Sequence, residues 1–356
     1  MAGLWRRSNI MNRRNFLKWI GLGSLGGAVI TKSVLAGAIP KNPIASSLTN
    51  AQDFGAAGNG VTDDTAAIQA AIDSGRGPVY LPPGVFVVSQ IEIPVGMALL
   101  GASCGDPSHF GSELRQKPGT NLSLVVPGRE IPANEWWHWV SIKNLRLRGD
   151  PDATAGCGIE ATRRTGENFR IENVLMGGFV ESGFRMTRGA TPGSIENCAS
   201  FGNREFGFDL QRTGNDVWNS FTVNRISGDN NGIALVRVKT MGTALDQVTI
   251  SNVKSETSAV ESQQNVIVLD SINGSLVSIK NVSVAAHAPM NSVVKIINAN
   301  ARVLVENFRG EPKLTYWIDD DNPGADKLRR TGGLTAALVS GFWDGKGMGK
   351  TKVITN

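Results

Sequence analysis

The stretch that decides the fold is Gln52–Phe86, QDFGAAGNGVTDDTAAIQAAIDSGRGPVYLPPGVF. Glycines at 55, 58 and 60 predict a loop whose backbone adopts positive φ. Apolar residues then recur on one side of Thr65–Asp73, which predicts a short helix with Asp63 and Asp64 capping its positive end. Strands at 79–81 and 85–88 follow. A helix ahead of short strands predicts a cap over one end of a long β-structure.

This stretch resembles the N-terminal signature of the pectate-lyase-like superfamily, as found in polygalacturonases and phage tailspikes. The resemblance implies a right-handed parallel β-helix and a polysaccharide as the class of substrate. It does not imply a reaction, because one fold hosts many functions. The matching residues are Asp53–Ala56, Gly58, Gly60, Thr62–Thr65, Ala67–Gln69, Ala71–Ile72 and Val79–Gly84.

A repeat runs through the chain from residue 139 onward. The pattern apolar-X-Asn-apolar places asparagines at 144, 173, 197, 224, 252, 281 and 307, between 24 and 29 residues apart. A second strand keeps this period at Gly158-Ile159, Gly183-Phe184, Gly207-Phe208 and Gly232-Ile233. Such a repeat without a helical pattern is one coil of a β-solenoid, and asparagine at a fixed turn stacks on its neighbours. We therefore predict an all-β, right-handed parallel β-helix of about nine or ten coils with an N-terminal capping helix.

Four segments are predicted along the chain: a signal peptide at 1–38, a linker at 39–50, the β-helix with its cap at 51–312 and a C-terminal cap or tail at 313–356. The first resembles a twin-arginine export signal, because Arg13-Arg14 precedes Phe16-Leu17-Lys18, an apolar run and Ala36-Gly37-Ala38. The apolar run is short for a membrane span. We expect export to the periplasm or outside the cell, with either Met1 or Met11 as the start.

The far end of the chain is expected to lose the repeat. After Gly310 the period breaks, and Thr315–Gly333 is predicted to be a loop. Phe342-Trp343 is predicted to close the last coil.

Charge and cysteine content exclude two classes of protein. The chain has 36 basic and 31 acidic residues, but residues 1–38 hold six of the basic and none of the acidic ones. The remainder carries a net charge of −1, which does not suit a nucleic-acid partner. Cys104, Cys157 and Cys198 are an odd number without a CxxC pair, so we predict small buried residues rather than a disulfide framework.

Two columns of charged residues are expected on the outer face of the second strand. The residue after each inward apolar position gives Glu160, Arg185, Asp209 and Ala234. Three positions further lie Arg163, Arg188, Arg212 and Arg237. Stacked like charges repel unless an anion lies along them, so the arginines indicate a stripe that holds carboxylates of an acidic polysaccharide. Alternatively they are turn residues in solvent that pair with nearby carboxylates.

The segment Asn203–Asp209 resembles the Asn-X-Asp-Gly-Phe-Asp motif of polygalacturonases, with one extra residue. Asp229 lies where that family places an Asp-Asp pair, and Arg237-Val238-Lys239 resembles its Arg-X-Lys but comes one coil too early. The Gly-His-Gly of the family is absent. Asn-X-X-X-Gly also recurs as a turn of the coil, which explains Glu205 and Asp229 better as turn residues, and a polygalacturonase mechanism is not predicted.

The candidate catalytic residues are Asp209, Asp229 and Glu205, which would act as acid, base or Ca²⁺ ligands. The candidate substrate-binding residues are Arg188, Arg212, Arg237 and Lys239. No metal ligand set is predicted, although Ca²⁺ is left open at Asp150-Pro151-Asp152 and Asp319–Asp321. Trp136, Trp137 and Trp139 around His138 are expected either to stack on sugar rings or to cover the edge of the first coils.

Two functions remain open from the sequence. The first is an exported protein that cleaves an acidic polysaccharide, as a lyase or a hydrolase, along the outer face of the β-helix. The second is a non-catalytic glycan-binding or structural β-helix of the tailspike kind. We expect no membrane span once the signal is removed, and either a monomer or a homotrimer. The sugar and the choice between hydrolysis and β-elimination are left open.

Overall fold

Short parallel strands joined by tight corners make up most of the protein in a computed structural model. The structure describes residues 48–189, 192–212, 220–240, 247–257, 263–271, 273–297, 300–310, 313–321, 328–329, 338–344 and 350–354. The predicted signal peptide and nearly all of the predicted linker lie outside these residues. Within them, no helix is long and apolar enough to cross a membrane.

The helical segments among the described residues are two 3-10 turns, Ala51–Phe54 and Pro107–His109, and the helix α1, Thr65–Asp73. The strands of the first half are β1 (Thr49–Asn50), β2 (Asn59–Asp63), β3 (Val79–Leu81), β4 (Gly84–Val88), β5 (Ile91–Ile93), β6 (Ala98–Gly101), β7 (Ser112–Gln116), β8 (Val125–Pro127), β9 (Trp136–Trp137), β10 (Ser141–Arg148), β11 (Ile159–Ala161), β12 (Arg164–Thr165), β13 (Phe169–Gly177) and β14 (Phe184–Met186). Those of the second half are β15 (Gly193–Glu196), β16 (Ala199–Phe201), β17 (Phe206–Arg212), β18 (Phe221–Asp229), β19 (Ala234–Thr240), β20 (Gln247–Thr257), β21 (Asn265–Asp270), β22 (Asn273–Ala286), β23 (Met290–Ile297), β24 (Asn300–Gly310), β25 (Leu314–Asp320), β26 (Leu328–Arg329), β27 (Leu338–Asp344) and β28 (Lys350–Ile354).

These strands form two long sheets and one pair among the described residues. Sheet I has sixteen strands in the order β1-β3-β6-β10-β13-β15-β18-β20-β22-β24-β27-β28, with β2, β4, β7 and β16 beside this path. Sheet II has ten, in the order β5-β8-β11-β14-β17-β19-β21-β23-β25-β26. Strands of one sheet pair in parallel with those of the next coil, for example β13 with β10 and β17 with β14. The result is the predicted parallel β-helix, with about nine turns and one short helix.

The core is a column of aliphatic side chains that repeats from coil to coil. Alternation along a strand sends every second residue inward, and parallel pairing stacks equivalent residues on one another. Each position in this column is no more than 1% exposed, and each such burial contributes about 1.5–3 kcal/mol. In sheet I the column is Ile142, Ile171, Ile195, Val223, Ile250, Ile279 and Val305.

The helix α1 covers the first coil, as predicted. Ile68, Ala71 and Ile72 are buried in the core, and the amide of Gln69 hydrogen-bonds both backbone groups of Glu92 on β5. The prediction that Asp64 caps the helix through its side chain was wrong. Its buried carboxylate instead accepts the backbone N–H of Ala57 at 2.6 Å and of Gly58 at 3.1 Å, so Asp64 fixes the glycine loop.

Asp63 provides the helix end with its side-chain acceptor and gives an acid-dependent prediction. Its carboxylate accepts the Thr65 N–H and binds the Lys117 ammonium at 2.8 Å, and these bonds, that of Lys117 first, lower its pKa from 3.8 to about 2. A lowered pKa in the folded state stabilises the fold above pH 3.8, and this contribution disappears as the pH falls towards 2. Because the pair is exposed, we expect Asp63→Asn to cost about 0.5 kcal/mol at pH 5 and almost nothing at pH 2.

Urea unfolding of the wild type and Asp63→Asn at pH 5, 4, 3 and 2 measures this difference. Lys117→Gln is the matched control, because it removes the first-named cause of the shift and is expected to reproduce most of the same pH dependence. A stability difference that stays constant from pH 5 to pH 2 would contradict the assignment.

The predicted asparagine column occupies a corner with left-handed backbone. Six of its members have φ between 53° and 57°, a region that asparagine tolerates better than most residues. Side-chain amides on neighbouring coils pair on both sides of the coil that contains Arg225, with the N–H₂ of one donating to the carbonyl of the coil before it, as from Asn173 to Asn144 at 2.9 Å. The column is therefore structural, as predicted. The six residues are Asn144, Asn173, Asn197, Asn252, Asn281 and Asn307.

One coil breaks the asparagine column and supplies a stability prediction. There the left-handed residue is Arg225, with φ 51°, and not Asn224 as the repeat predicted. We expect Arg225→Asn to raise the free energy of unfolding by about 0.5–1 kcal/mol, because asparagine suits this backbone. The lost contact of Arg225 with Glu196, at 3.6 Å on the surface, counts for little. Urea denaturation measures the gain, and an equal gain in Arg225→Gln would contradict the backbone explanation.

A second, buried amide ladder lies at another corner. The amide of Asn203 donates to Asn231 at 2.8 Å, and that of Asn231 donates to the backbone carbonyl of Ser200 at 2.9 Å and to Gln263 at 3.3 Å. All three amide side chains are at most 1% exposed. Asn203 is therefore a structural turn residue, but its partner Asn231 directly precedes Gly232, so the spacing Asn-X-X-X-Gly is not repeated between these two coils.

The far end and the cysteines differ in part from the predictions. The prediction of a loop at Thr315–Gly333 was wrong for residues 315–320. They belong to β25, which pairs in parallel with β23 and buries Trp317 and Ile318. Strand β27, which contains Phe342 and Trp343, pairs antiparallel with β24 and so covers that edge. All three cysteines are free thiols, but only Cys157 and Cys198 are buried. Burial raises the pKa of Cys198 to about 12, so its thiol is not reactive.

Candidate functional site

A ladder of alternating charges runs across the outer face of sheet II. Strand register stacks Glu160 on Arg185, Arg185 on Asp209 and Asp209 on Arg237. The residue before each of them points into the core, so these four side chains point outward. Opposite charges on neighbouring strands attract each other, which explains the order along the ladder.

Asp209 is the centre of this ladder and is fully buried. Arg237 donates to both carboxylate oxygens at 2.8 Å, in the bidentate geometry that guanidinium favours. Arg185 donates from Nε at 3.3 Å and Gln211 from its amide at 2.7 Å. Four donors thus occupy the lone pairs of the carboxylate, so the role that the geometry gives Asp209 is to position the two arginines.

Arg185 links the buried carboxylate to the surface. Its side chain is 13% exposed and binds Glu205 at 2.5 Å and Glu181 at 3.1 Å, with Glu160 at 3.9 Å. Arg237 is 19% exposed and covers the ring of Phe206, with 4.2 Å from the guanidinium carbon to the ring centroid. Among the described residues, four carboxylates therefore surround two guanidinium groups. We call this set the sheet II network: Glu160, Glu181, Arg185, Glu205, Asp209 and Arg237.

The prediction of four stacked arginines was wrong at its last member. Register places Arg237 beside Asp209, and Thr240 beside Arg212. The coil from Phe208 to its register partner is longer than the predicted period of 25 residues, because the turn before β19 is longer. Val236 and not Ile233 therefore takes the inward position beside Phe208. Ile233 is instead 43% exposed.

The other predicted arginines and the lysine lie in separate environments. Arg212 is fully buried at the end of β17. Arg163 donates to the backbone carbonyl of Ile131 at 2.8 Å, and Arg188 donates to that of Ala133 at 3.1 Å, so these two hold one loop. Lys239 binds Asp270 at 3.2 Å and keeps 31% of its side chain exposed.

Asp229 lies apart from the sheet II network, at the end of β18 in sheet I. Its register neighbours are Phe201 on one side and Glu256 on the other. Burial raises the pKa of Asp229 above its ordinary value, and the nearby Glu256 carboxylate adds to this shift. One Asp229 oxygen is buried without a hydrogen-bond partner among the described residues. The structure thus brings Glu205, Asp209 and Arg237 together and separates Asp229 and Arg212 from them.

Sequence reasoning did not select Arg185, Glu160 and Glu181 as site residues. The available signal was the alternation of sign at 160, 185 and 209 in one predicted column, which favours ion pairs between coils. Glu181 carried no such signal, because it lies in the turn before β14 and reaches Arg185 only in three dimensions.

The two acidic loops considered for Ca²⁺ do not fit that ion. The Asp150 carboxylate accepts the backbone N–H groups of Gly119 at 3.0 Å and Asp152 at 3.2 Å. Asp319 and Asp321 both bind the ammonium of Lys295, which repels a cation. In the part of the chain that the structure describes, no group of three or more His, Cys, Asp or Glu side chains is placed to hold a metal ion.

The three tryptophans have three different environments. Trp137 is buried and its indole N–H donates to the carbonyl of Ile93 at 2.8 Å, so it is a core residue. Trp136 is half-buried, with the guanidinium of Arg164 at 5.5 Å from the ring centroid. Trp139 is 52% exposed, and its ring is stacked on that of His138 with centroids 4.3 Å apart.

The fold and the outward charges define a parallel β-helix protein with a polar outer face. Residues 48–258, more than half of the chain, match the family described as rhamnogalacturonase A/epimerase, pectate lyase-like. The chain belongs to this family, which confirms the resemblance noted for its N-terminal stretch.

The chain matches only part of the length of each relative. Mannuronan C5-epimerase AlgE1 of Azotobacter vinelandii is 61% identical over 52% of this chain and 16% of its own length. AlgE5 of the same organism is 28% identical over 52% of this chain and 22% of its own. The chain thus spans about a fifth of these curated relatives. The phiAB6 tailspike, solved with oligosaccharides of Acinetobacter baumannii surface polysaccharide, shares the fold, with a TM-score of 0.50, 14% identity, and coverage of 87% of this chain and 57% of that one.

Proposed function

We propose that this protein binds and modifies an acidic polysaccharide of the uronate class on the outer face of sheet II. The proposal rests on two guanidinium groups, Arg185 and Arg237. They lie two coils apart and are both held by the buried carboxylate of Asp209. Fixed guanidinium groups on a surface suit the carboxylates of a uronate chain. The mannuronan epimerases among the relatives support this class of substrate.

The reaction that we propose is removal of the proton on the carbon next to a uronate carboxylate. A guanidinium group beside that carboxylate stabilises the negative charge that develops when the C–H bond breaks. The resulting anion either regains a proton on the opposite face, which is epimerisation, or expels the substituent on the next carbon, which is elimination. Glu205 is the residue of the sheet II network that we propose as base, because it is 38% exposed next to Arg185.

The remaining candidate residues have supporting parts in this proposal. Arg237 and Lys239 lie on the same strand and would bind carboxylates of the chain, with Arg188 further along the face. Asp209 acts through the arginines that it positions. Arg212 is buried, so a contact with substrate would require its surroundings to move. Asp229 remains a candidate acid in a separate place, supported by its raised pKa.

A second candidate function is a non-catalytic glycan-binding or structural β-helix. The observation that favours it is the internal pairing of the sheet II network, in which the Asp209 carboxylate accepts four hydrogen bonds from protein donors, three of them at Oδ2. Export by the twin-arginine route to the periplasm or beyond is part of either proposal. Either proposal also includes a monomer or a homotrimer as the assembly. Sedimentation of the purified chain distinguishes these two states.

The test is incubation of the full chain with mannuronan in D₂O, with and without Ca²⁺. Epimerisation is expected to place deuterium on the carbon that bears the carboxylate, where NMR detects it, because the anion regains its proton from the solvent. Elimination instead leaves that carbon in a double bond without a hydrogen atom, so it is detected by the ultraviolet absorbance of unsaturated uronate and not by deuterium at this carbon. Glu205→Gln is expected to reduce whichever of the two signals the wild type gives at least tenfold, whereas Glu306→Gln, on β24 and paired with Lys280, is the unaffected control.

Two outcomes would count against the proposed reaction. New reducing ends without deuterium or absorbance would indicate a hydrolase. Binding of mannuronan without deuterium, absorbance or new reducing ends would favour the non-catalytic glycan-binding function.

A further inference from the structure

Trp139 occupies a corner position that disfavours it. The register of sheet I, extended back by one or two residues, gives the equivalent position on three coils to Trp139, Asn168 and Ser220. All three have left-handed backbone, with φ of 55°, 57° and 56°. Asparagine and serine are small and polar, but a bulky side chain at positive φ is an outlier. Strain that persists in this way points to a use for the side chain.

Packing does not account for this tryptophan. Trp139 is 52% exposed, and the described neighbour of its ring is the ring of His138, stacked at an interplanar angle of 23°. Trp137, two residues earlier, is fully buried and supplies the core contact of this corner. Trp139 therefore presents an open aromatic surface.

A polar groove begins on the next coil. Its volume is about 480 Å³, and its wall includes Asn168 and Ser220, from the same corner column as Trp139. The groove is open because Gly193 and Ser194 are small. Arg170 lines it and is exposed, and among the described residues its side chain makes no hydrogen bond or ion pair.

We propose that Trp139 and this groove form a second glycan-binding subsite, on sheet I, for an acidic polysaccharide. A sugar ring lies on the indole of Trp139, and a carboxylate of the following residues binds Arg170, since successive coils are about 4.8 Å apart. The class of ligand rests on the proposed function. The subsite itself lies on the opposite sheet from the sheet II network.

The acidic walls of the groove are compatible with this ligand. Glu172 binds Lys143 at 2.8 Å, and Glu196 lies 3.6 Å from Arg225. Each wall carboxylate is thus paired with a cation. Arg170 adds a positive charge to these pairs.

The decisive variant is Trp139→Asn, because the fold and the ligand make opposite demands on this position. We expect it to raise the unfolding midpoint, since asparagine suits the left-handed corner, and to weaken binding of mannuronan oligosaccharides at least tenfold by calorimetry on the full chain. Trp139→Phe keeps a stacking surface and is expected to bind within threefold of the wild type. Arg170→Gln is expected to weaken binding of the acidic oligosaccharide and to reduce its salt dependence.

Phe110→Asn is the matched control. Phe110 is also an exposed aromatic residue in left-handed backbone, with φ 67° and 80% exposure, but it is not part of the groove. We expect Phe110→Asn to stabilise the fold and leave the affinity unchanged.

Wild-type affinity in Trp139→Asn, or no binding of the oligosaccharide by the wild type, would overturn the subsite. Deuterium incorporation and ultraviolet absorbance test the sheet II proposal separately. Loss of binding in Trp139→Asn, with neither signal in the wild type, would support the subsite and reject the reaction.

Discussion

Replacing Asp209 by asparagine is expected to lower the free energy of unfolding by about 3 kcal/mol. The carboxylate is fully buried and accepts four hydrogen bonds, two of them from Arg237. Asparagine keeps the shape but removes the negative charge, so Arg237 would keep its charge in a mostly buried place without its counter-ion. Arg185 loses less, because it retains Glu181 and Glu205.

Urea unfolding of Asp209→Asn, Arg237→Gln and the double variant measures this effect. The single changes are expected to be strongly non-additive, because each removes the same pair. Glu172→Gln is the control on an exposed pair and should cost less than 1 kcal/mol. A loss below 0.5 kcal/mol in Asp209→Asn, on the order of a surface change, would show that the ladder does not support the fold.

This result also decides how activity data are interpreted. A catalytic role for Asp209 can be assigned only if Asp209→Asn is folded under the conditions of the assay. Glu205→Gln does not carry this difficulty, since Glu205 is 38% exposed.

Replacing Asn231 by alanine is the second large effect, and we expect a loss of about 3 kcal/mol. Its amide joins Asn203, Gln263 and the carbonyl of Ser200 within a fully buried corner. Alanine leaves an acceptor on Ser200 and on Gln263 unsatisfied, and each buried orphan costs about 1–3 kcal/mol.

The expected phenotype is a lower urea midpoint. Asn134→Ala, at an exposed asparagine, is the control and should be neutral within about 0.5 kcal/mol. Equal stability of the two variants would mean that a water molecule or a rearranged corner replaces the ladder.

The sequence contained enough local information to predict the coil. Left-handed corners select asparagine, and the strand period selects aliphatic residues at every second position, so the column from Asn144 to Asn307 was visible without a structure. The same reasoning located α1 and its end before Gly75. It failed at Asn224, because the pattern apolar-X-Asn-apolar does not show which of two neighbouring residues turns the corner.

The candidate site was predicted only in part. Asp209, Glu205 and Arg237 were predicted on one face, and the structure joins them through Arg185, which was not selected. The arginine column failed because a turn of different length before β19 changes which residues face each other by three positions. Several registers satisfy the apolar pattern of β19, and the pairing of buried charges between coils distinguishes them.

The repeating unit was thus predictable from the residues, because corners and inward positions are set by the conformational preferences and polarity of single residues. Which charges meet depends instead on how the coils stack. An ion pair such as Asp209 with Arg237 joins residues 28 positions apart, and its geometry depends on the length of the turn between them. The same holds for Trp139, whose corner and neighbouring groove are defined by the coils stacked beside it.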